Sequence, residues 1–315
     1  MSSVKAPRSD LLLAPKLQPG DLVRLVSPAS YPDQQHIDNY KEILESWGLR
    51  CDVSDSVLGK HGYMSGTDAE RLEDLNTAFR DPEVRAVIAT RGGAGAYRIA
   101  DDIDFEAVRS DPKLLVGFSD ITFLHLSLLT HSNVGGIHGC LNGDITQNST
   151  KQLLMTTDPV TVVSNSAAVS AAVKFEGRAT GPIVGGHLQS IATSVGVRMP
   201  SMEGAILFLE YNRKGLGTVD RYLTQLFRSG TLDGIAGVVL GSFECGRDFN
   251  DRGWAIADVL HDRLGLLNVP VLGGIDSGHD ILDQHGNFNF SAIPLGSMAT
   301  FDTYEETITI DPVVK

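Results

Sequence analysis

The chain has few cysteines and no long apolar run, and each shortage excludes a class of protein. Its 315 residues include three cysteines, Cys51, Cys140 and Cys245, with no Cys-x-x-Cys spacing. An odd number of widely separated cysteines argues against a disulfide framework and against a structural zinc site. No segment approaches the roughly 20 apolar residues of a membrane-spanning helix, and the apolar run near the N-terminus is too short for a signal peptide. We therefore expect a soluble, cytoplasmic protein without a membrane partner.

Positive charge is also scarce. Asp and Glu together number 39 against 26 Lys and Arg, which gives a formal net charge of −13. This excess of acidic groups argues against a nucleic-acid partner. Glycine, by contrast, is abundant, with 33 residues, several of them in adjacent pairs. Paired glycines at strand ends suit tight turns and close backbone approach, so functional loops are expected.

The first half of the chain alternates strand patterns with helical patterns. Residues 84–90 are a mainly apolar run rich in valine and isoleucine that leads into Gly92 and Gly93, and residues 113–118 are a second mainly apolar run that contains Gly117. The alternation predicts an α/β fold with a Rossmann-like parallel sheet covered by helices. Near residue 155 the composition changes to small and β-branched residues. We therefore predict an N-terminal domain over 1–155, a linker or crossover over 156–180, and a smaller β-rich α+β domain over 181–315.

Ser119 lies in the sequence Gly-Phe-Ser-Asp, between an apolar strand and an apolar helix. In hydrolases, a sharp strand-to-helix turn of this kind presents a serine hydroxyl above the sheet. A serine followed by an aspartate before a helix is equally typical of an N-cap. These residues alone leave both interpretations open, because a nucleophilic serine also requires a base and a group that orients the base.

His279 and Glu210 are the candidates for those two roles. His279 follows a buried strand in the glycine-flanked segment GGIDSGHD, and His187, which follows two glycines, is a weaker candidate for the base. Glu210 ends the hydrophobic segment AILFLE, where a carboxylate needs a partner or a function. A salt bridge from Glu210 to Arg213 or Arg221 is the structural alternative.

The segment TRGGAGAYR offers backbone N–H groups with few bulky side chains, as an oxyanion hole requires. A phosphate-binding turn has the same property. The spacing does not match G-x-G-x-x-G, however, and no Walker lysine follows, so a nucleotide site is weakly supported. No H-E-x-x-H motif is present. The sequence therefore predicts neither a cofactor nor a metal.

Five segments, taken in order, resemble one family. They are RGGAGAYR, VGFSDIT, GGHLQSI, LFLEYN with the following VDRYLTQL, and SGHD with the later AIPLG. Together they are similar to the motifs of the LD-carboxypeptidases, serine peptidases that include muramoyltetrapeptide carboxypeptidases and microcin C immunity proteins. The resemblance runs from GDLVRLVSPAS to IPLG, nearly the whole chain. It implies a metal-free enzyme, a cytoplasmic location and a homodimer.

The resemblance also implies roles for individual residues. The Ser–Glu–His triad of the family falls on Ser119, Glu210 and His279. The backbone N–H groups of Gly93 and Asp120 are expected to form the oxyanion hole.

Two further residues, Arg91 and Tyr211, are expected to bind a small peptide or murein-peptide substrate. This sequence departs from the family pattern at Ala94, Tyr211 and Cys140, which leaves the substrate open. Three functions are therefore considered. They are trimming of murein tetrapeptides to tripeptides, hydrolysis of peptidyl- or aminoacyl-nucleotides, and non-catalytic binding of a small molecule.

Overall fold

The computed structural model describes residues 11–197, 199–212, 215–244 and 252–315, so Arg213 and Cys245 lie outside the described residues. The strands, β1 to β14 in chain order, are Leu22–Val26, Arg50–Val53, Val84–Ala89, Leu114–Val116, Gly136–His138, Val160–Val163, Lys174–Phe175, Arg178–His187, Ile206–Asn212, Gly237–Glu244, Val271–Leu272, Ile293–Leu295, Met298–Asp302 and Thr307–Ile310. The helices, α1 to α8, are Gln34–Ser46, Asp68–Arg80, Phe105–Ser110, Thr122–Ser132, Asp144–Met155, Leu188–Thr193, Leu216–Arg228 and Ile256–Leu264. Among the described residues, none of the helices has the length and apolarity needed to cross a bilayer.

The helix ends follow local sequence signals. Asp33 precedes α1, and its side chain accepts the His36 N–H. Thr67 and Glu70 form a reciprocal capping box at the start of α2. Such caps satisfy backbone N–H groups that have no partner inside the helix.

The first sheet has six strands in the order β2-β1-β3-β4-β5-β12. Strands β1 to β5 are parallel, and β12 pairs antiparallel with β5 at one edge. The order 2-1-3-4-5 is that of a doubly wound sheet, in which ligands bind outside the carboxyl ends of the strands near the switch point between β1 and β3. Apolar side chains on these strands form the core, and Leu25, Val87 and Leu115 are fully buried. The predicted α/β class is confirmed.

The second sheet has eight strands in the order β6-β14-β13-β8-β9-β10-β11-β7. Its central strands β8 to β11 are parallel, whereas the flanking strands pair antiparallel. Both faces of β9 are buried, and Leu207, Phe208 and Leu209 have no exposed surface. The carboxyl ends of the central strands therefore form a common edge, and Glu210 is near the end of β9.

The chain divides into two compact units. The first unit comprises the described residues up to Asp158 with 292–296 and 312–315, and the second comprises those of 159–291 and 297–311. The structure differs from the expected linker at 156–180, because this segment contributes β6, β7 and the start of β8 to the second sheet. The reason is β pairing: β6 is rich in valine, and its buried Val162 lies opposite Ile308 of β14.

Candidate active site

Ser119 occupies a strained turn between β4 and α4. It begins a one-turn 3-10 helix, Ser119–Ile121, that leads directly into α4. Its backbone φ is +64°, in the left-handed region that residues other than glycine rarely adopt. Such conformations cost free energy and tend to occur where function requires them. The side chain of Ser119 caps neither helix, so the structure gives no support to the N-cap alternative.

The glycine-rich segment after β3 passes directly against Ser119. A Cβ atom added to Gly92 would lie 2.7 Å from Ser119 Cβ and 3.1 Å from the Phe118 carbonyl oxygen. Gly93 has a φ of +102° and faces Ser30, whose Oγ accepts the Ala94 N–H at 3.3 Å. Gly92, which the sequence reasoning did not single out, is therefore the residue whose missing side chain allows the close approach.

Asp120 ties the serine turn to the glycine-rich segment through its carboxylate. Asp120 Oδ2 accepts the Ala96 N–H at 2.7 Å in a buried setting. Burial raises the pKa of Asp120 to about 6, against the opposing effects of the backbone N–H groups of Ala96 and Gly95 and the charge of Arg71. The sequence indicates a role only for the backbone amide of Asp120, whereas in the structure its side chain also joins the serine turn to the glycine-rich segment.

Arg71 supports the glycine-rich segment from α2. Its side chain has no exposed surface, and Nη1 donates to the carbonyl oxygens of Gly95, at 3.0 Å, and Pro28. Nη2 forms an ion pair with Asp68 at 2.6 Å. A buried guanidinium that is fully used in this way holds two loops at the ends of β1 and β3 together. Nothing in the helical pattern of α2 distinguishes Arg71 from a surface arginine, and sequence reasoning missed it.

Two other potentially reactive groups of the first unit are held in neutral forms. His125 lies inside α4, where Nε2 is 2.9 Å from the Gly117 carbonyl oxygen. Burial lowers its pKa to about 4, so its ring is neutral and donates to that carbonyl. Burial raises the pKa of Cys140 to about 12, which keeps the thiol protonated and unreactive.

Glu210 and His279 form a hydrogen-bonded pair in the second unit. Glu210 Oε2 is 2.8 Å from His279 Nδ1, and the side chain of Glu210 has no exposed surface while that of His279 is 10% exposed. When Nδ1–H donates to the carboxylate, Nε2 is the ring nitrogen left to accept a proton. Arg221, named above as an alternative salt-bridge partner of Glu210, instead donates to Thr218.

Glycine is required beside this pair. Gly278 has a φ of +125°, and a Cβ atom there would lie 2.9 Å from Glu210 Oε2 and 2.4 Å from Ser242 Oγ. The left-handed turn at Gly278 also directs the next residue, His279, to the carboxylate. The sequence Ser-Gly-His therefore follows from the need to bring a backbone against Glu210 without a side chain between them.

His187 lies beside the pair at the end of β8. It is in parallel register with Glu210, so the two residues are cross-strand neighbours. Its ring stacks on Tyr211, with centroids 5.5 Å apart and planes 19° apart, and its centroid is 5.3 Å from that of His279. Tyr211 has no exposed surface. Its side chain packs against His187, and the expected contact of Tyr211 with substrate stays a prediction.

Asp280 adds a further ionisable group next to His279. Burial, together with the nearby carboxylates of Glu244 and Glu210, raises the pKa of Asp280 to about 7. Asp280 Oδ2 accepts the Glu244 N–H at 2.9 Å. Its burial and its closeness to two other carboxylates distinguish Asp280 from a surface aspartate, and both arise only when the chain is folded.

Arg91 is exposed after β3, directly before Gly92. The alternative to a binding role is a structural ion pair, but in the described part of the chain no carboxylate lies within ion-pair distance of Arg91. Its guanidinium therefore has no protein partner among these residues that would compete with an anionic ligand.

The predicted site residues fall into two groups, one in each unit. Ser119, Asp120, Gly93 and Arg91 belong to the first unit, with Gly92 joining them, whereas Glu210 and His279 belong to the second. Within the described residues, His187, Glu210 and His279 also form a group with metal-ligand character, their ligand atoms lying within 4.8 Å of one another.

Comparison with known families matches both parts of the chain. Residues 23–139 match the LD-carboxypeptidase N-terminal domain, and residues 180–301 match the LD-carboxypeptidase C-terminal domain. The first match contains Ser119, and the second contains both Glu210 and His279. The two groups of site residues therefore each lie within a family domain.

Individual relatives support the same assignment. A putative carboxypeptidase of Streptomyces coelicolor is 35% identical, over 96% of this chain and 97% of its own length. A probable murein peptide carboxypeptidase of Bacillus subtilis is 34% identical, over 94% of this chain and 93% of its own. Among solved structures, the muramoyltetrapeptide carboxypeptidase from Oxalobacter formigenes is 26% identical, with a TM-score of 0.79 over 92% of this chain and 98% of the other. On the evidence of both domain matches and these full-length relatives, the chain belongs to the LD-carboxypeptidase family of peptidases.

Proposed function

We propose that the protein is a serine LD-carboxypeptidase that removes a terminal D-amino acid from murein tetrapeptides, leaving tripeptides. In this proposal Ser119 is the nucleophile, His279 is the general base and Glu210 orients the imidazole. The observation that carries the proposal is the 2.8 Å contact between His279 Nδ1 and the fully buried Glu210 carboxylate. A histidine oriented in this way has Nε2 available to accept a proton, as a serine nucleophile requires.

The proposed reaction follows the acyl-enzyme route. Ser119 Oγ attacks the carbonyl carbon of the amide that joins an L-configured centre to the terminal D-amino acid, and His279 accepts the serine proton. His279 then gives that proton to the leaving amine, and water hydrolyses the ester on Ser119. Glu210 stabilises the imidazolium that forms in between.

The oxyanion of the tetrahedral intermediate requires donors, and the backbone N–H groups of Gly93 and Asp120 are the proposed ones. The close approach of Gly92 to Ser119 supports this role, since it brings the glycine-rich segment against the nucleophile. Removal of one donor of this kind typically costs about 3–4 kcal/mol of transition-state stabilisation.

A carboxypeptidase must also recognise a free carboxylate, and Arg91 is the proposed cation. Its exposure, together with its position one residue before Gly92, supports this assignment. An Arg91→Ala variant should lose rate on a free-carboxylate substrate and retain rate on the matching amidated one. An unchanged ratio of the two rates would remove Arg91 from this role.

The proposal also covers the setting of the enzyme. Trimming of murein peptides during wall recycling is a cytoplasmic task, and the family resemblance implies a homodimer without a metal or an organic cofactor. Size-exclusion chromatography with light scattering tests the dimer directly.

The function is tested by incubating the protein with a muramyl tetrapeptide and, separately, with an aminoacyl sulfamoyl adenylate. Mass spectrometry should show the loss of one D-alanine from the tetrapeptide only. The Ser119→Ala variant should lose activity by several orders of magnitude, whereas Ser110→Ala, which removes an exposed hydroxyl at the end of α3, should behave like the unmodified protein. Cleavage of the adenylate alone would favour the immunity-type function.

The non-catalytic alternative has its own test. A serine-directed fluorophosphonate should label Ser119 in the native protein and fail to label it after heat denaturation or in the Ser119→Ala variant. A protein that only binds a small molecule would not react at that serine.

A further inference from the structure

Three side chains with metal-binding character meet at the carboxyl edge of the second sheet. His187 ends β8, Glu210 lies on β9 in register with it, and His279 follows in the loop beyond β11. One ligand atom from each residue lies within 4.8 Å of the other two. Two imidazoles and one carboxylate form the donor set of several zinc sites that leave a coordination position open.

The donor set selects the class of metal. Imidazole nitrogens favour zinc, copper and nickel, whereas magnesium and calcium prefer oxygen ligands alone. With two nitrogens and one carboxylate oxygen, the group suits Zn²⁺ rather than Mg²⁺. The resemblance to metal-free peptidases gives no reason to expect this, since it assigns roles only to Glu210 and His279.

A small rearrangement of the three side chains would allow them to bind such an ion. Ligand atoms that surround a tetrahedral zinc at 2.0–2.2 Å lie about 3.5 Å apart. Glu210 Oε2 and His279 Nδ1 are 2.8 Å apart, and the three ligand atoms lie within 4.8 Å of one another, so side-chain shifts of about 1 Å would bring all three to that spacing. Stacking on the buried Tyr211 orients the ring of His187.

We propose that His187, Glu210 and His279 bind a Zn²⁺ ion, and that this ion reversibly inhibits the peptidase. The inhibitory part rests on the proposed function, because the ion uses the carboxylate that orients His279 and the imidazole that serves as base. Zinc and catalysis therefore compete for the same pair. His187 supplies the third ligand, and it takes no part in the proposed acyl transfer.

The metal site is tested by binding, without any turnover. The purified protein, freed of metal with EDTA and dialysed, is titrated with Co²⁺ and followed by its visible absorption, and Zn²⁺ affinity is obtained by competition. One equivalent of Co²⁺ should give the intense visible bands of a tetrahedral site. His187→Asn should weaken Zn²⁺ binding about tenfold or more, whereas His285→Asn, which changes an exposed histidine in the same unit, should leave it unchanged.

A second variant guards against misfolding. His187→Phe retains an aromatic ring to stack on Tyr211 but offers no ligand, so it should fold and yet bind Zn²⁺ as weakly as His187→Asn. Circular dichroism and thermal unfolding in EDTA verify the fold of both. An unmodified protein that takes up no equivalent of Co²⁺, or a His187→Asn protein with unchanged affinity, would overturn the proposal.

Inhibition is then measured as a ratio within each protein. Zn²⁺ should slow the unmodified enzyme on its tetrapeptide substrate, and EDTA should restore the rate. For each protein, inhibition is expressed relative to its own metal-free rate. The Zn²⁺ concentration that gives half-inhibition should be about tenfold higher or more in His187→Asn than in the unmodified enzyme. Cobalt binding without tetrapeptide cleavage would retain the metal site and reject the proposed function. Binding without inhibition would reject the regulatory role.

Discussion

At the scale of single residues, three histidines show how surroundings decide chemistry. His125 is buried, neutral and hydrogen-bonded to the Gly117 carbonyl. His279 faces a buried carboxylate, and His187 stacks on Tyr211. The role of a histidine depends on which ring nitrogen carries the proton, and the hydrogen bond made by the other nitrogen decides this. Of the three, His279 has the carboxylate contact that a general base uses. The sequence around each histidine does not show this difference.

The Glu210–His279 contact gives a prediction for the Glu210→Gln variant. Glutamine preserves the shape of the side chain, but its amide can donate to Nδ1 and favour the wrong imidazole tautomer, and it cannot stabilise the imidazolium. We expect kcat to fall about 10,000-fold, as for the corresponding change in other triads. Steady-state kinetics on the tetrapeptide measure this, with the exposed Glu203→Gln as the control. A fall of less than tenfold would show that Glu210 has no such role.

Asp120 gives a prediction about pH. The raised pKa of about 6 means that the folded protein holds a proton here that the unfolded chain releases near its ordinary value of 3.8. The stability that this proton contributes is present at low pH and is lost as the pH rises through 6. Asp120→Asn cannot ionise, so its free energy of unfolding relative to the unmodified protein should increase between pH 4 and pH 8.

The size of the Asp120 effect follows from the shift. One pKa unit corresponds to about 1.4 kcal/mol, and the relative gain should reach roughly 3 kcal/mol at most, because the group is mostly buried. Chemical denaturation at several pH values measures it. As a control, Val163→Ala, which changes no ionisable group at an exposed position, should give a difference that does not vary with pH. A pH-independent difference for Asp120→Asn would contradict the buried-carboxyl interpretation.

At the scale of elements, the candidate residues follow the carboxyl ends of parallel strands in both sheets. Ser30 follows β1, Gly92 follows β3 and Ser119 follows β4, while His187 and Glu210 lie at the ends of β8 and β9. Strands in a parallel sheet end at one edge, so residues far apart in sequence become neighbours there. The helices and strands therefore fix the positions of the turns that carry the candidate residues.

Gly92→Ala tests the contact between two of these turns. The φ of Gly92 lies outside the left-handed region, so alanine fits the backbone, but its methyl group would lie 2.7 Å from Ser119 Cβ. We expect kcat/KM to fall about 100-fold, since a small displacement of a catalytic group has an effect of this size. Gly217→Ala in α7 is a matched control, because its nearest neighbour is the flexible end of Arg221, 3.7 Å away. Equal kinetics for both variants would contradict the contact.

At the scale of the whole molecule, the first unit is built from segments that are not continuous in sequence. Residues 292–296 and 312–315 come after most of the second unit but belong to the first. There β12 covers the edge of β5, with Ile293 opposite His138. Because Pro294 in β12 lacks an N–H group, β12 is a suitable edge strand. The first unit therefore requires residues 292–296 and 312–315, which follow most of the second unit along the chain.

Ile293→Ala tests this closure. Ile293 is 1% exposed, and loss of its buried side chain should destabilise the first unit by about 2–4 kcal/mol. Hydrogen exchange followed by mass spectrometry should show lower protection in peptides that contain Gly136–His138, far away in sequence. Val163→Ala, at a position 63% exposed on β6, should change protection little. Unaltered exchange in the β5 peptides would show that β12 does not support the first unit.

The sequence alone was sufficient for much of the local structure. The alternation of apolar runs and helical patterns predicts the first sheet, because period and polarity reflect which face of each element is buried. The hydrophobic segment AILFLE is likewise recognisable from its continuous apolar content, and it contributes most of β9. The segment 156–180 is not recognisable in this way, because short strands at the margin of a sheet carry small and polar residues that resemble a linker.

By itself the sequence determined the fold class, the family and the identity of Ser119, Glu210 and His279 as candidates, because each lies in a short local motif. Only the tertiary structure decided the rest. It placed His187 and Asp280 beside the Glu210–His279 pair, buried Tyr211, and made Arg71 and Gly92 supports of the glycine-rich segment. These contacts join residues that are far apart along the chain, and their energies depend on burial and distance, which no local pattern of residues records.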